Sequence, residues 1–435
     1  MALDIKFIEN EIIDQFLYDE NSSRPWIIGF SGGKDSTMLL QLVWSALKKI
    51  DPFLRHQREI HVVCNDTLVE NPKIVQMINK TLGLISKAAT EQGMPIYVHQ
   101  TTPKLEDTFW VKLLGLGYPA PNNTFRWCTD RLKIAPTTRF ILEKLNEKGE
   151  AVILLGTRED ESATRAKSMK KHEIKGNRLR KHVLPNAWVY APIKDVVIDE
   201  LWPYLLQVNP PWGGTNRDLV TLYRNATGGD CPLVIDTTTP SCGNSRFGCW
   251  VCTVVKKDKS MEALIDNGED WMEPLMEFRD LLVETRDDIT WRDDKRRNGQ
   301  DGIGPYLFEK RALLLEKLLK AQYLVQKDQP DLELITHQEL VAIQLAWYRD
   351  FYFKRKVSDI YNNIYKTHID MSKHDEKLQQ EHELLKQSCN GQEEQVTLIH
   401  ELLALQKSKS LMMKKRGLQS DIESRIQIFL SEKKN

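Results

Sequence analysis

The stretch Ile27-Ile28-Gly29-Phe30-Ser31-Gly32-Gly33-Lys34-Asp35-Ser36 constrains this chain more than any other. A short apolar run, right for a buried strand, leads into two glycines, a lysine and a serine. Residues 36–50 then carry Leu39, Leu42, Val43, Ala46 and Leu47 at helical spacing. A strand, a tight turn and a helix in that order point backbone N–H groups at an anion on the helix N-terminus. Gly32 and Gly33 allow close backbone approach, the Ser31 and Ser36 hydroxyls can donate, and Lys34 adds a point charge. The commonest phosphate loop, G-x-x-x-x-G-K-[ST], does not fit. Counting back from Lys34 puts Ile28 where its first glycine belongs, and Asp35 stands where Ser or Thr would hold magnesium. The plainer alternative is a helix-capping turn with a surface lysine.

The surrounding pattern predicts an α/β fold. Residues 1–20 read as an amphipathic helix with Ile8, Ile12, Ile13, Phe16 and Leu17 on one stripe. Strands are expected at 26–30, 59–67, 94–101 and 151–160, and further helices at 36–50 and 71–93. Strands alternating with helices of this length imply a doubly wound, mostly parallel sheet. Its ligand belongs beyond the carboxyl ends of the strands, where the 31–36 and 156–165 loops begin. At 435 residues the chain is too long for one ordinary core. Three parts are expected: an α/β domain at 1–200, a Cys-rich module at 201–304 and a helical region at 305–435. In the last, 372–388 and 392–433 flank Cys389-Asn390-Gly391 as a helical hairpin or coiled-coil arm.

Charge and cysteine usage exclude several classes. Basic and acidic side chains balance at 61 each, so any nucleic-acid affinity must come from a local patch. The N-terminal residues lack a basic region followed by an apolar one, so no signal peptide is expected. No run of about 18 apolar residues occurs, so no membrane partner is expected. An odd number of cysteines, seven, without an export signal argues against a disulfide framework and for a cytoplasmic protein.

Four cysteines carry a metal signal. Cys231, Cys242, Cys249 and Cys252 are separated by ten, six and two residues, with Pro232, Gly243 and Gly248 to turn the chain. Four thiolates hold either zinc or an iron–sulfur cluster. The spacing lacks the paired CxxC of a zinc ribbon, and no nearby His completes a Cys2His2 set. Cys128 stands apart, between Arg126 and Lys133 with Arg131 close by; adjacent cations favour thiolate, while inert packing is the plainer use of a lone cysteine. Cys64 reads as core and Cys389 as incidental. Residues 165–182, RAKSMKKHEIKGNRLRKH, hold eight Lys/Arg and one Glu. They form either a solvated face or a contact to several backbone phosphates, and WRDDKRRN at 291–298 is a weaker candidate of the same kind.

SGGKDS resembles the PP-loop of the ATP pyrophosphatases, which cleave ATP between the α and β phosphates. NDT (65–67) follows the second strand, where that family contacts the nucleoside. LLGTREDESATR (154–165) and FRWCTDRLKI (125–134) are similar to segments of the phosphoadenylylsulfate reductases. Across residues 20–310, these motifs with VVCNDTLVENP (62–72), DTFWVKLLGLGYPAP (107–121) and SCGNSRFGCWVCTVV (241–255) resemble the DndC family of DNA phosphorothioation sulfurtransferases. The resemblance implies an adenine nucleotide alpha hydrolase-like fold with ATP and Mg²⁺ on Ser31, Gly32, Gly33, Lys34, Asp35 and Ser36. It implies nucleoside contacts from Asp66 and Thr67, and phosphate contacts from Gly156, Thr157, Arg158 and Arg165. Lys34, Asp35, Cys128, Arg158 and Arg165 become the catalytic candidates, with a [4Fe–4S] cluster on Cys231, Cys242, Cys249 and Cys252. The implied partners are DNA, a cysteine desulfurase and other Dnd proteins. Three alternatives stand beside it: a tRNA-thiolating PP-loop enzyme, a sulfonucleotide reductase, and a non-catalytic iron–sulfur scaffold. Against reduction, the sequence holds no ECGLH segment, and Cys128 is followed by Thr129 instead of a second cysteine.

Overall fold

The computed structural model describes residues 3–171, 177–226, 248–296, 301–369 and 383–396, apart from a few isolated positions, with scattered residues besides. The chain opens with α1 (Ile5–Leu17), capped by the Asp4 carboxylate, which accepts the Phe7 N–H at 3.0 Å. There follow β1 (Trp26–Gly29), α2 (Lys34–Lys48), the short α3 (Pro52–Arg55), β2 (Ile60–Asn65), α4 (Pro72–Glu91) and β3 (Ile96–Thr101). Then come α5 (Ala135–Lys148), β4 (Ala151–Leu154), α6 (Ala163–Lys171), β5 (Arg180–Lys181) and β6 (Ala187–Tyr190). Helices α7 (Ile198–Gln207), α8 (Arg217–Ala226), α9 (Lys259–Asp266), α10 (Glu273–Thr285), α11 (Phe308–Val325), α12 (His337–Arg349) and α13 (Val357–Tyr365) complete the order.

The six strands form one sheet in the order β3-β2-β1-β4-β6-β5, parallel except for β5. This is the α/β architecture expected from the sequence, with β5 and β6 added at one edge. The winding reverses between β1 and β4, which opens a crevice at their carboxyl ends. Side-chain alternation along β1 fills both faces. Trp26 and Ile28 pack with α1, α2, α4, α7 and α8, whereas Ile27 packs with Ile141 and Leu145 of α5. Helix α2 is buried along nearly its whole length, because it lies between the sheet and α1. That burial anchors the loop in front of it.

The chain divides into two compact units, 1–109 with 121–284, and 110–120 with 285–435. Of the segment expected as a Cys-rich module, 201–284 lies in the first unit and 285–304 in the second. The second unit is helical. Leu314, Leu315, Leu318 and Leu319 of α11 are fully buried, and α12 starts on a capping box in which Thr336 Oγ1 accepts the Glu339 N–H at 3.2 Å and Glu339 Oε2 accepts the Thr336 N–H at 3.0 Å. A π-helical turn, Val111–Gly115, is held by the Trp347 indole N–H donating to the Leu114 carbonyl at 2.8 Å. Most of the arm expected at 372–433 lies outside the described residues.

Candidate active site

The loop after β1 turns at Gly32, whose φ of +70° suits glycine alone. A Cβ there would also sit 2.6 Å from Ile78 Cγ1. Gly33 is the N-cap of α2, so no side chain caps the helix and its amino end stays open to an anion. Ser36 Oγ donates to the Gly33 carbonyl at 3.1 Å and accepts the Ser31 N–H at 3.2 Å; the two serine hydroxyls lie 3.2 Å apart. This small network draws the loop into a cradle.

Asp35 joins the loop to the one after β4. Its carboxylate accepts from Lys34 Nζ at 3.0 Å and from Arg158 Nε at 2.6 Å. Arg158 is almost fully buried and also donates to the Val196 carbonyl at 3.0 Å. Its guanidinium is thus committed to the protein, and it acts by fixing Asp35. Gly156 has a similar positioning task. A Cβ on it would lie 2.9 Å from both the carbonyl carbon and the oxygen of Asp35, so only glycine lets the β4 loop approach the head of α2. Thr157 Oγ1 is buried there without a hydrogen-bond partner among the described residues. Lys34 lies over the Tyr223 ring of α8, 5.5 Å from its centroid. The sequence offered no signal for Tyr223, since the contact depends on how α8 folds back. The Arg165 side chain lies outside the described residues.

A second group of residues forms beyond β2. Glu70 and Cys249 pair as an antiparallel bridge, with the Trp250 N–H donating to the Val69 carbonyl at 3.0 Å. This brings the CxxC turn to the end of β2. Thr67, fully buried, donates to Glu70 at 3.0 Å and lies 3.4 Å from Cys249 Sγ. The Thr67 hydroxyl expected at a nucleoside thus faces the cysteine turn. Asp66 accepts the Leu68 N–H at 2.8 Å, and burial holds its carboxyl above the usual range. Asn65 Nδ2 donates to the Leu132 carbonyl at 2.8 Å and so ties β2 to the π-helical stretch Thr129–Ile134.

Cys128, at the head of that stretch, is brought to the cysteine turn. Burial raises its thiol pKa, the Cys252 sulfur raises it further, and Lys133 only partly opposes them. The expectation that neighbouring cations would favour thiolate is therefore corrected. Arg126 donates to Asn123 at 3.0 Å, and Arg131 pairs with Asp107 at 3.6 Å. Lys133 is the cation that does serve the site. It pairs with Glu70 at 3.3 Å, beside the Cys249 thiol. Burial and Glu70 push the Cys249 thiol strongly up. Arg279, fully buried, donates to the carbonyls of Cys252 at 3.0 Å and Lys256 at 2.7 Å, and to that of Val255, locking the turn from behind.

Cys249, Cys252 and Cys128 are thus gathered in one region; Cys231 and Cys242 lie outside the described residues. Among the described residues no three Cys, His, Asp or Glu side chains converge as a single metal ion requires. The donor chemistry of clustered thiols beside a lysine suits a thiolate-bound iron–sulfur group, since the ammonium offsets thiolate charge. No helix among the described residues is long and apolar enough to cross a membrane.

The chain is similar to several known proteins. An uncharacterized protein of Methanocaldococcus jannaschii is 29% identical over 237 residues, 54% of this chain; the match spans 38% of that protein's length. Among solved structures, a phosphoadenylyl-sulfate reductase from Candida auris, in complex with phosphate, is 12% identical over 48% of this chain and 88% of its own, with a TM-score of 0.27. The U34-tRNA thiolase NcsA from Methanococcus maripaludis, with its [4Fe-4S] cluster, is 14% identical over 64% of this chain and 80% of its own, with a TM-score of 0.32. The model of the phosphoadenosine phosphosulfate reductase domain matches residues 25–255, more than half of the sequence. The chain belongs to the phosphoadenosine phosphosulfate reductase domain family.

Proposed function

We propose that the chain is an ATP-dependent sulfurtransferase that replaces a backbone oxygen of DNA by sulfur. The observation that carries the reading is the pairing of two chemistries beyond neighbouring strands of one sheet. An open anion cradle follows β1, and a thiol group with Lys133 follows β2. An enzyme that activates an oxygen with ATP and then installs sulfur needs both.

In this reading the triphosphate of ATP, with Mg²⁺, lies on Ser31–Ser36, where the α2 amino end and Lys34 face it. A DNA phosphate oxygen attacks the α-phosphorus, and pyrophosphate leaves. Hydrosulfide-level sulfur then forms a P–S bond as the P–O bond to AMP breaks, so the DNA oxygen departs in AMP. The reaction converts phosphodiester, ATP and hydrosulfide to phosphorothioate, AMP and pyrophosphate with no net redox change. Turning a poor leaving oxygen into AMP splits one hard displacement into two easier ones. Lys34 stabilises developing phosphate charge, and Arg158 keeps Asp35 and Lys34 in place. A [4Fe–4S] cluster would be held by Cys231, Cys242, Cys249 and Cys252. Bound there, it supplies electron-rich iron and sulfide for handling sulfur. A cysteine desulfurase supplies the sulfur as a persulfide, two equivalents of a thiol reductant release it as hydrosulfide with formation of a disulfide, and other Dnd proteins act with the chain on DNA.

The test is mass spectrometry of nuclease-digested host DNA with and without the gene, all partner genes being present. Phosphorothioate dinucleotides should appear only with it, and their absence from both samples removes the proposal. If RNA, and not DNA, stimulates pyrophosphate release by the purified chain, the tRNA-thiolating alternative takes its place.

A further inference from the structure

Helix α8 brings Tyr223 to the amino end of α2, and polar contacts at both sides of the preceding turn fix it there. Asn216 is buried just ahead of α8. Its Nδ2 donates to the carbonyls of Leu205 at 2.8 Å and Val208 at 3.0 Å, and its own carbonyl accepts the Val220 N–H at 3.0 Å. The turn is also tied to α2 and to the end of α4. Gln92 Nε2 donates to the Pro211 carbonyl at 2.8 Å, while Gln92 Oε1 accepts the Trp44 indole N–H at 3.0 Å. Tyr223 is buried, and its ring meets that of Trp202 in α7 edge-on, with centroids 5.1 Å apart and planes at 73°. The same ring carries Lys34 Nζ at 5.5 Å from its centroid. Its hydroxyl reaches the N-cap of α2, since a Cβ on Gly33 would lie 3.3 Å from it.

A lysine ammonium sits on a flexible stem and takes a fixed place only where something holds it. Asp35 holds Lys34 at 3.0 Å, but a carboxylate also offsets its charge. A π face attracts the ammonium through the ring quadrupole and leaves the charge intact. We propose that Tyr223 is a positioning residue for the ATP reaction: its ring orients the Lys34 ammonium at the amino end of α2 without neutralising it, and Trp202 keeps the ring at its angle. This role rests on the reading of Ser31–Ser36 as the triphosphate site. It also gives Gly33 a reason of its own. The backbone there, at φ −82°, suits any residue, yet a side chain would press on the Tyr223 hydroxyl.

Titration calorimetry of the full chain tests the proposal. The probe is α,β-methylene-ATP with Mg²⁺, whose bridging carbon blocks cleavage between the α and β phosphates. Lys34→Met should weaken binding by about tenfold or more, as loss of a charge-assisted contact does. Tyr223→Leu should weaken it about five- to tenfold, between the effects of an exposed and a desolvated cation–π contact. Tyr223→Phe keeps the ring and should bind within about twofold of the parent. The Lys34→Met/Tyr223→Leu double variant should bind like Lys34→Met, because the ring acts through that ammonium. If Tyr223→Leu does not fold, Tyr223→Met fills the space against Trp202 without a π face and is read in the same way. Equal weakening by Tyr223→Leu in both backgrounds would mean that the ring merely packs α8, and overturns the proposal. So does a Tyr223→Leu chain that binds like the parent, or a Tyr223→Phe chain that binds as weakly as Tyr223→Leu. Failure of the underlying reading looks different: a parent that binds no analogue, or a Lys34→Met chain that binds like the parent, removes the triphosphate site itself and the Tyr223 role with it.

Discussion

Gly156→Ala is the sharpest single test of how the two loops are built. The added methyl would sit 2.9 Å from the Asp35 carbonyl carbon and oxygen and 3.1 Å from the Ser36 nitrogen. Ordinary carbon contacts begin near 3.5 Å, so the two backbones must part by about half an ångström. Neither side yields easily. The α2 side is a buried helix, and the β4 side is tied by Arg158 to Asp35 and Val196. Overpacking of this kind costs about 1–3 kcal/mol. In a unit of this size that lowers the melting temperature by about 2–10 °C. The larger effect should fall on turnover. In the proposed reaction, Asp35 and the amino end of α2 would move away from the developing phosphate charge, and misplacement approaching 1 Å can cost about 100-fold. Calorimetric melting and an ATP-to-AMP assay measure the two effects separately. Gly83→Ala is the control, because a Cβ there meets nothing within 4 Å inside α4, and it should gain up to about 1 kcal/mol from helix propensity. If Gly156→Ala melts and turns over like the parent, the close approach is not what places Asp35, and the argument fails.

Three further outcomes follow from the same geometry. In a cycle of Asp35→Ala, Arg158→Met and the double variant, the singles should each lose about 2–3 kcal/mol and the double less than their sum, with a coupling of about 1–2 kcal/mol by urea unfolding, because each single strands a partly buried charge; additive losses would refute the pairing. His61 and His99 share a hydrogen bond of 3.0 Å, and burial, then the His99 charge and Lys144, lowers the His61 pKa to about 4, while burial lowers that of His99. The folded state thus holds His61 neutral while the unfolded chain takes up a proton near pH 6.5, so stability should fall as pH drops from about 6.5 towards 4, by about 3 kcal/mol from His61; a His61→Gln variant with an equally steep acid loss would count against it. Arg279→Met should leave the Cys252, Val255 and Lys256 carbonyls without their donor and cost about 2–4 kcal/mol; a chain with parental stability and unchanged Cys249 reactivity toward a thiol reagent would show that Arg279 does not hold the turn.

Several elements were legible before any coordinates. The strands at 26–30, 59–67 and 94–101 and the helices at 36–50 and 71–93 announce themselves through local apolar periodicity, and each reappears within a few residues of its expected limits, whereas the strand expected at 151–160 ends at Leu154. The two-residue β5 carries no periodicity at all, and the Ala187–Tyr190 run is too short to be told from a buried loop. The electrostatics of Cys128 misled for a related reason. Sequence proximity to Arg126 and Arg131 says nothing of direction, and both side chains turn to Asn123 and Asp107.

The sequence alone determined the turn in front of α2, because a strand, Gly32-Gly33 and a helix start dictate their own backbone geometry within ten residues. It also determined the α/β class, since burial on both faces of a parallel sheet leaves its mark along each strand. Tertiary structure alone decided which chemistry meets which. Gly156 faces Asp35, and Cys249 is bridged to Glu70. These meetings join residues brought together by the strand order β3-β2-β1-β4-β6-β5. Strand order follows from packing of the whole core, which no local run of residues encodes.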